Sequence, residues 1–291
     1  VALSVLLYQG SLVFRTIRWQ VLLRHMKFVN LFHLYPVVVI GYMANNLLPM
    51  RLGELVRSYY LGEREGVSKI TVLTTIVVER VMDALTLLMF IALIAIFVPL
   101  AGVEDIIVGR IGIEWYTLAV LLSTPFVTVF CLFVLIAYYP ERTARFLDRI
   151  SDHMSVVLRK KFKIMFVDLL NGLRPLRAGR TLVVLFAFSV PIWLLDAMLF
   201  FLIGLSFELN TMYANIWHMA IAMLLVTAIS NIGGSIPAAP GGVGLFHLIA
   251  REALVLIPLG FVDRSVAAAY VAVVHVALVL PVILLGQVFL W

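Results

Sequence analysis

Apolar runs of about twenty residues recur along this chain, and its charged residues lie mostly in the gaps between them. "LTLLMFIALIAIFVPL" begins at Leu85 and "VAAAYVAVVHVALVLPVILLGQVFL" at Val266. A helix of some twenty apolar residues matches the hydrocarbon thickness of a bilayer. A water-soluble core of this size still exposes much of its surface and has no room for so many such runs. Apolar residues make up 63% of the 291 and charged residues 13%, against about 45–50% (with glycine counted) and about 25% in soluble domains. We therefore expect an all-α polytopic membrane protein forming a single membrane domain over residues 1–291.

Full spans are expected at 1–22, 70–98, 115–138, 180–205 and 265–290, which makes about five. The chain starts at Val1 inside a hydrophobic run, with no initiator methionine, basic start or cleavage site, so we expect a few native residues to be missing. Cys131 sits in an apolar span, where a packed small side chain is the expected role. The net charge of +6 does not point to nucleic acid, because the bases gather between spans as membrane topology requires. Residues 140–180 hold ten Lys and Arg against four acids, and residues 15–27 hold four bases and no acid. Both stretches are expected on the cytoplasmic side of the cell membrane. "PLAGVEDIIVGRIGIEW" carries three acids and one arginine and is expected outside. Within 140–179, apolar residues recur at helical spacing among the bases. This suits one or two amphipathic helices on an anionic leaflet, or a solvated hairpin between spans.

Two apolar helices are interrupted. One, at 31–48, runs into "NNLLPMRLGELVRSYYLGERE", and a short helix is expected from 51 to 61. If 31–48 crossed the bilayer, Arg51, Arg57, Arg64 and Lys69 would fall on the acidic side. A re-entrant hairpin within a first unit, 30–98, resolves this. The second, at 214–236, breaks at "NIGGSIPAAPGG", restarts at 242–257, and belongs to a second unit, 214–291. The two units enter from opposite faces, so they suggest an inverted-topology repeat. A plain loop between two full spans is the alternative at either break. Non-helical backbone at membrane depth must be buried or face a polar cavity. Asn45 and Asn46 offer amides, and Gly233, Gly234, Gly241, Gly242 and Gly244 offer close approach. Pro49 and Pro240 suit the first turns of the returning helices, whose free N–H groups would attract an anion.

"TIVVERVMDALTLLMF" places Glu79, Arg80 and Asp83 inside an apolar span, where charges must pair or reach water. Their expected partners are Arg51, Glu54 and Arg57, and a purely structural ion-pair network is the plainer reading. His247 follows the second break, His275 lies in the last span near Tyr270, and Asp196 interrupts 180–205 beside Trp193. No metal site or cofactor is expected, because the six histidines are scattered and no metal-binding spacing occurs.

"NNLLPMRLGELVR", "ERVMD" and "PAAPGGVGLF", in that order, resemble the flippase-like family of membrane proteins. That family includes the transmembrane part of lysylphosphatidylglycerol synthases. The resemblance covers nearly the whole chain and implies lipid translocation. The synthases add a large soluble catalytic domain, for which this chain has no room, so an enzyme is not expected. The resemblance carries function onto Asn46, Pro49, Arg51, Gly53, Glu54, Arg57, Glu79, Arg80 and Asp83, and onto Pro240, Gly241, Gly242 and Gly244. Where the family often has a glutamate this chain has His247, and where it usually has an arginine in the last span this chain has His275.

The expected function is translocation of an anionic phospholipid, aminoacylated ones included, or of a polyprenyl phosphate. Its substrate-binding residues would be Asn46, Arg51, Glu54, Arg57, Glu79, Arg80, Asp83, Gly241, Gly242 and His247, with Glu79, Asp83, His247 and His275 available to couple a proton. A small-anion transporter, a membrane-embedded lipid-phosphate enzyme and a non-transporting scaffold are the alternatives. Anionic lipids are the expected partners, and self-association into a homo-oligomer is left open.

Overall fold

The computed structural model describes residues 2–97, 115–151, 155–235, 239–257 and 259–291. The acidic loop expected outside, residues 236–238 of the second break, and the side chain of Arg51 lie outside the described residues. The described chain is helical apart from one isolated bridge between Tyr213 and Gly260. Its helices are α1 (Ala2–Leu23), α2 (Leu31–Leu47), α3 (Gly53–Glu65), α4 (Lys69–Phe97), α5 (Trp115–Tyr138), α6 (Pro140–Ser151), α7 (Val156–Leu173), α8 (Gly179–Ser206), α9 (Ile216–Gly233), α10 (Leu245–Leu256) and α11 (Arg264–Leu290).

This is a multi-pass helical membrane protein. Among the described residues α8, α9 and α11 are each long and apolar enough to cross a bilayer, and the bent pair α5–α6 makes a fourth if counted as one span. α1 and α4 have the length, at 22 and 29 residues, but charged side chains interrupt their apolar runs. α9, expected as one arm of a re-entrant hairpin, is by itself long enough to cross.

Helix ends follow local chemistry. Asn30 caps α2 by accepting from the Phe32 amide, and Asn215 caps α9 by accepting from the amides of Trp217 and His218. Asp263 caps α11. The hydroxyl and then the amide of Ser265 hold its carboxyl below the usual range. Gly66 ends α3 in the left-handed conformation.

Both breaks are built alike. At the first, Leu48 is extended, Pro49 opens a single 3₁₀ turn, and Met50 takes left-handed angles (φ 56°, ψ 25°). At the second, Ala239 has ψ 159°, Pro240 opens a 3₁₀ turn, and Gly241 is left-handed (φ 62°, ψ 7°). The prolines therefore start short turns, and the α-helices resume later than expected, at Gly53 and Leu245. Gly242 and Gly244, at φ 72° and 87°, delay the second restart, because such angles are incompatible with a continuing right-handed helix. The two breaks pack on each other: a Cβ on Gly241 would stand 3.3 Å from the Asn46 carbonyl oxygen.

Helix α2 packs on α3 and α11, and α9 on α10 and α4. α3 packs on α4 and α10 on α11. α1 and α8 run antiparallel, with Gly10 facing Leu195, Phe14 near Phe188, and Arg18 on Ser189. Two large apolar cores result. Tyr8 and Leu12 of α1, Phe200 and Ile203 of α8, and much of α9 to α11 form one. Trp19, Leu22 and Leu23 of α1, Leu34 and Val38 of α2, and Val72 and Ile76 of α4 form the other. Arg15 and Arg18 sit on α1 between the two.

Cys131 is exposed on α5, so the expected packed role is corrected. α5 presents this side outward, as a lipid-facing helix does. Tyr270 does not join His275. Its hydroxyl donates to the Phe200 carbonyl at 2.8 Å and ties α11 to α8.

The α2–α3 hairpin closes through glycine. A Cβ on Gly53 would collide with the Gly41 carbonyl oxygen and lie 2.5 Å from the Asn45 nitrogen. Gly53→Ala is expected to destabilise by at least the ~1–3 kcal/mol typical of overpacking, read as a lowered Tm in detergent. Gly179→Ala, with nothing within 4 Å of the new Cβ, should leave the Tm unchanged.

Candidate functional site

The charged side chains of four helices converge between the two cores. Arg18 Nη1 lies 2.7 Å from Asp83 Oδ1, and its Nη2 lies 3.6 Å from Glu79 Oε1. Arg57 Nη1 meets Glu79 Oε2 at 2.9 Å. Arg15 Nη2 meets Asp196 Oδ2 at 2.7 Å and its Nη1 lies 3.6 Å from Asp83 Oδ2. Arg80 Nη2 lies 3.1 Å from Asp83 Oδ2 and 3.1 Å from the Tyr42 hydroxyl, while its Nε stands 4.0 Å from Glu54 Oε1.

Helical spacing makes this possible. Glu79 and Asp83 are four apart on α4, and Arg15 and Arg18 three apart on α1, so each pair shares a face. Aromatic rings complete the walls. The Arg57 guanidinium lies 3.5 Å over the Trp19 ring and that of Arg15 4.7 Å from the Trp193 ring. Trp193 also donates its indole N–H to Asp83 Oδ1 at 3.2 Å.

Within this cluster, four guanidiniums (Arg15, Arg18, Arg57, Arg80) face four carboxylates (Glu54, Glu79, Asp83, Asp196), so it is neutral without Arg51. Burial is uneven. The side chains of Arg18 and Glu79 are 0% and 1% exposed, whereas Arg80 and Glu54 are 26% and 23% exposed. These two, with the longest contact of the cluster, mark its open edge. Beside them Gly41, Tyr42, Asn45, Gly53, Glu54, Arg57, Ile76 and Arg80 line a cleft of about 10 Å³, room for about one water molecule and too little for a phosphate. Arg57 Nη2, Arg57 Nε and Arg80 Nε have no hydrogen-bond partner among the described residues.

A second group lies at the second break. Gly244 N–H can only donate, so Nδ1 of His247, 3.4 Å away, accepts. The Gly241 carbonyl can only accept, so His275 Nε2, 2.9 Å away, donates. His247 Nε2 then donates to His275 Nδ1 across 3.2 Å. The two neutral rings form one directed chain of hydrogen bonds, and a further proton must break one of its links.

Of the residues expected at the site, Glu54, Arg57, Glu79, Arg80 and Asp83 meet in the ion cluster. Asn46, Gly241, His247 and His275 meet where the two breaks touch, and Gly242 lies in the same turn. Sequence reasoning missed Arg15, Arg18 and Asp196 as members. The two arginines counted as topology signals. Buried and ion-paired, they leave only Arg24 and Lys27 of that stretch to act as such. Their signal was present, however: arginines three apart inside an apolar run must find carboxylates. Among the described residues no group of three or more metal-binding side chains occurs.

The model of the lysylphosphatidylglycerol synthase TM region matches residues 1–286. The chain belongs to that family. It is 26% identical over 259 residues, 84% of this chain and 71% of the relative, to a UPF0104 membrane protein of Methanothermobacter thermautotrophicus. No solved structure matches it.

Arg18→Met would strand Glu79 and Asp83 with less counter-charge. Losing one partner of a buried pair costs about 3–5 kcal/mol, so a lowered Tm in detergent is expected, with partial recovery in the double variant Arg18→Met/Glu79→Gln.

Proposed function

We propose that this protein moves an anionic phospholipid, or a lipid-linked phosphate of like chemistry, between the leaflets of the cell membrane. The observation that carries the reading is the meeting of two X-Pro breaks beside a buried guanidinium cluster with a half-exposed edge. Family membership supports a lipid substrate.

The architecture supports an inverted repeat. Exchanging α1 with α8, α2 with α9, α3 with α10 and α4 with α11 turns each packing described above into another that is also present. The antiparallel α1–α8 pair suits opposite topologies, with the two units entering from opposite faces and about five full spans in all. In this arrangement 140–179 lies on the cytoplasmic side. Glu79, eleventh residue of α4, and His275, twelfth of α11, stand at similar distances from their helix starts, so one half carries ion pairs at the depth where the other carries the histidine chain.

The cleft is closed in this conformation. Translocation then requires the α3–α4 contact to open at the Arg80–Glu54 seam, the weakest contact of the cluster, while Arg57 stays on Glu79. Because the cluster is neutral, a lipid phosphate would take its charge partner from Arg51 and from Arg80 as Glu54 withdraws. Arg57 also lines this cleft. Arg18, Asp83, Arg15 and Asp196 stay paired and hold the frame. The acyl chains remain in the bilayer.

In proteoliposomes carrying a fluorescent phosphatidylglycerol, Arg80→Gln and Arg51→Ala are each expected to slow flipping at least tenfold, Arg51→Ala with the Tm little changed and Arg80→Gln, which takes one partner from Asp83, with a smaller Tm loss than Arg18→Met. Wild-type rates in either variant would remove the phosphate role. If the wild type carries a small free anion and flips no lipid, the substrate is not a lipid.

The histidine chain adds a pH dependence. The titratable group nearest each ring is the other histidine, and Gly241 and Gly244 supply the remaining polar contacts. Protonation breaks a link and loosens the contact between the breaks, so flipping is expected to quicken in acid medium. His275→Gln should flatten that profile.

A further inference from the structure

A second cavity lies away from the ion cluster, where α5 ends. α6 turns by 99° from α5 at Pro140, which cannot donate a backbone hydrogen bond to continue α5. α6 and α7 are joined by an ion pair, Lys163 to Asp148 at 2.7 Å. With α5 and the start of α4 they line an open groove of about 670 Å³, within the roughly 300–1,000 Å³ range of small-molecule sites. Its walls include Ile70 of α4, Leu132 and Leu135 of α5, Phe146 of α6 and Phe166 of α7.

Three lining residues have polar side chains: Tyr139, Arg142 and Thr143. The Thr143 hydroxyl is already used, donating to the Tyr139 carbonyl at 2.9 Å. The Arg142 guanidinium lies 5.1 Å from the Tyr139 ring and has no carboxylate partner among the described residues. An apolar cavity with one cation at its rim calls for a ligand with an apolar tail and an anionic head. The surroundings agree, since α6 and α7 together carry seven basic and three acidic residues. Val156 and Val157, at 84% and 69% exposure, leave uncovered apolar surface at the start of α7, which suits a helix lying at a membrane surface.

We propose that this cavity holds one acyl chain of an anionic glycerophospholipid whose phosphate rests on Arg142. The lipid is a resident ligand, separate from any substrate at the ion cluster. Its place is mechanical as well. α7 packs on α4 through Gly172 against Thr74 and through Thr71 Oγ1 to Asp168 Oδ1 at 3.5 Å. A chain wedged between α5 and α7 braces the helix that carries Glu79 and Asp83.

Native mass spectrometry tests this on the full chain, purified with equal phosphatidylglycerol and phosphatidylcholine. Wild type is expected to retain one phosphatidylglycerol with about tenfold preference. Arg142→Gln should bring that preference near unity at an unchanged Tm, and Arg142→Lys should keep part of it. Leu135→Trp, which fills the cavity from an exposed position, should lose the retained lipid of either kind. Equal retention of both lipids by wild type, or an unchanged preference in Arg142→Gln, overturns the proposal. So does a lipid-free dimer, which would give the cavity to a second copy of the chain.

Discussion

Four arginines and four carboxylates meeting between two apolar cores form the constraint on which the rest of this structure depends. A charge in a medium of low polarity is costly unless an opposite charge and hydrogen bonds meet it there. Each member therefore dictates where another helix must stand. Arg18 draws α4 to α1 through Glu79 and Asp83, Arg57 fixes α3 against α4, and Asp196 registers α8 against Arg15. Apolar packing above and below tolerates small slips between helices. The ion pairs, at 2.7–2.9 Å, do not.

The same network separates what is fixed from what can open. Arg18 and Glu79 are sealed, and Trp19 and Trp193 cover the guanidiniums of Arg57 and Arg15. Arg80 and Glu54 stand at the edge with a 4.0 Å contact. α3 is short, begins at a close-packed glycine and follows a turn with Met50 in left-handed geometry. Its Glu54 end is free to open while the Arg57–Glu79 pair tethers the rest of it to α4. The second break meets the end of α2 where Gly241 approaches the Asn46 carbonyl, and the histidine chain lies behind that contact within the second half.

Much of this was legible from sequence. The long apolar runs announced a bilayer, and the "NNLLP" and "PAAPGG" interruptions announced two breaks. Glu54, Arg57, Glu79, Arg80 and Asp83 were recognisable because charges inside apolar spans must be solvated by one another. Arg15, Arg18 and Asp196 were not placed with them, because an arginine near a helix end has two outlets, snorkelling or pairing, and local sequence does not distinguish them. The helix restarts were misjudged by a few residues at each break. Proline marks where a helix is able to start, but left-handed residues after it decide where it does.

By itself the amino-acid sequence determined the solvent, the helical class, the positions of the breaks and the need for buried charges to pair. These follow from hydrophobicity, backbone stereochemistry and the cost of charge in oil, all of which act locally or on composition. Only the tertiary structure decided who pairs with whom. It brought Arg15 and Arg18 to α4 and α8, joined His247 to His275 twenty-eight residues away, closed the cleft, and turned α6 over the cavity at Arg142. Partner choice among many compatible charges depends on which helices the two apolar cores bring side by side, and that is a property of the whole packed chain.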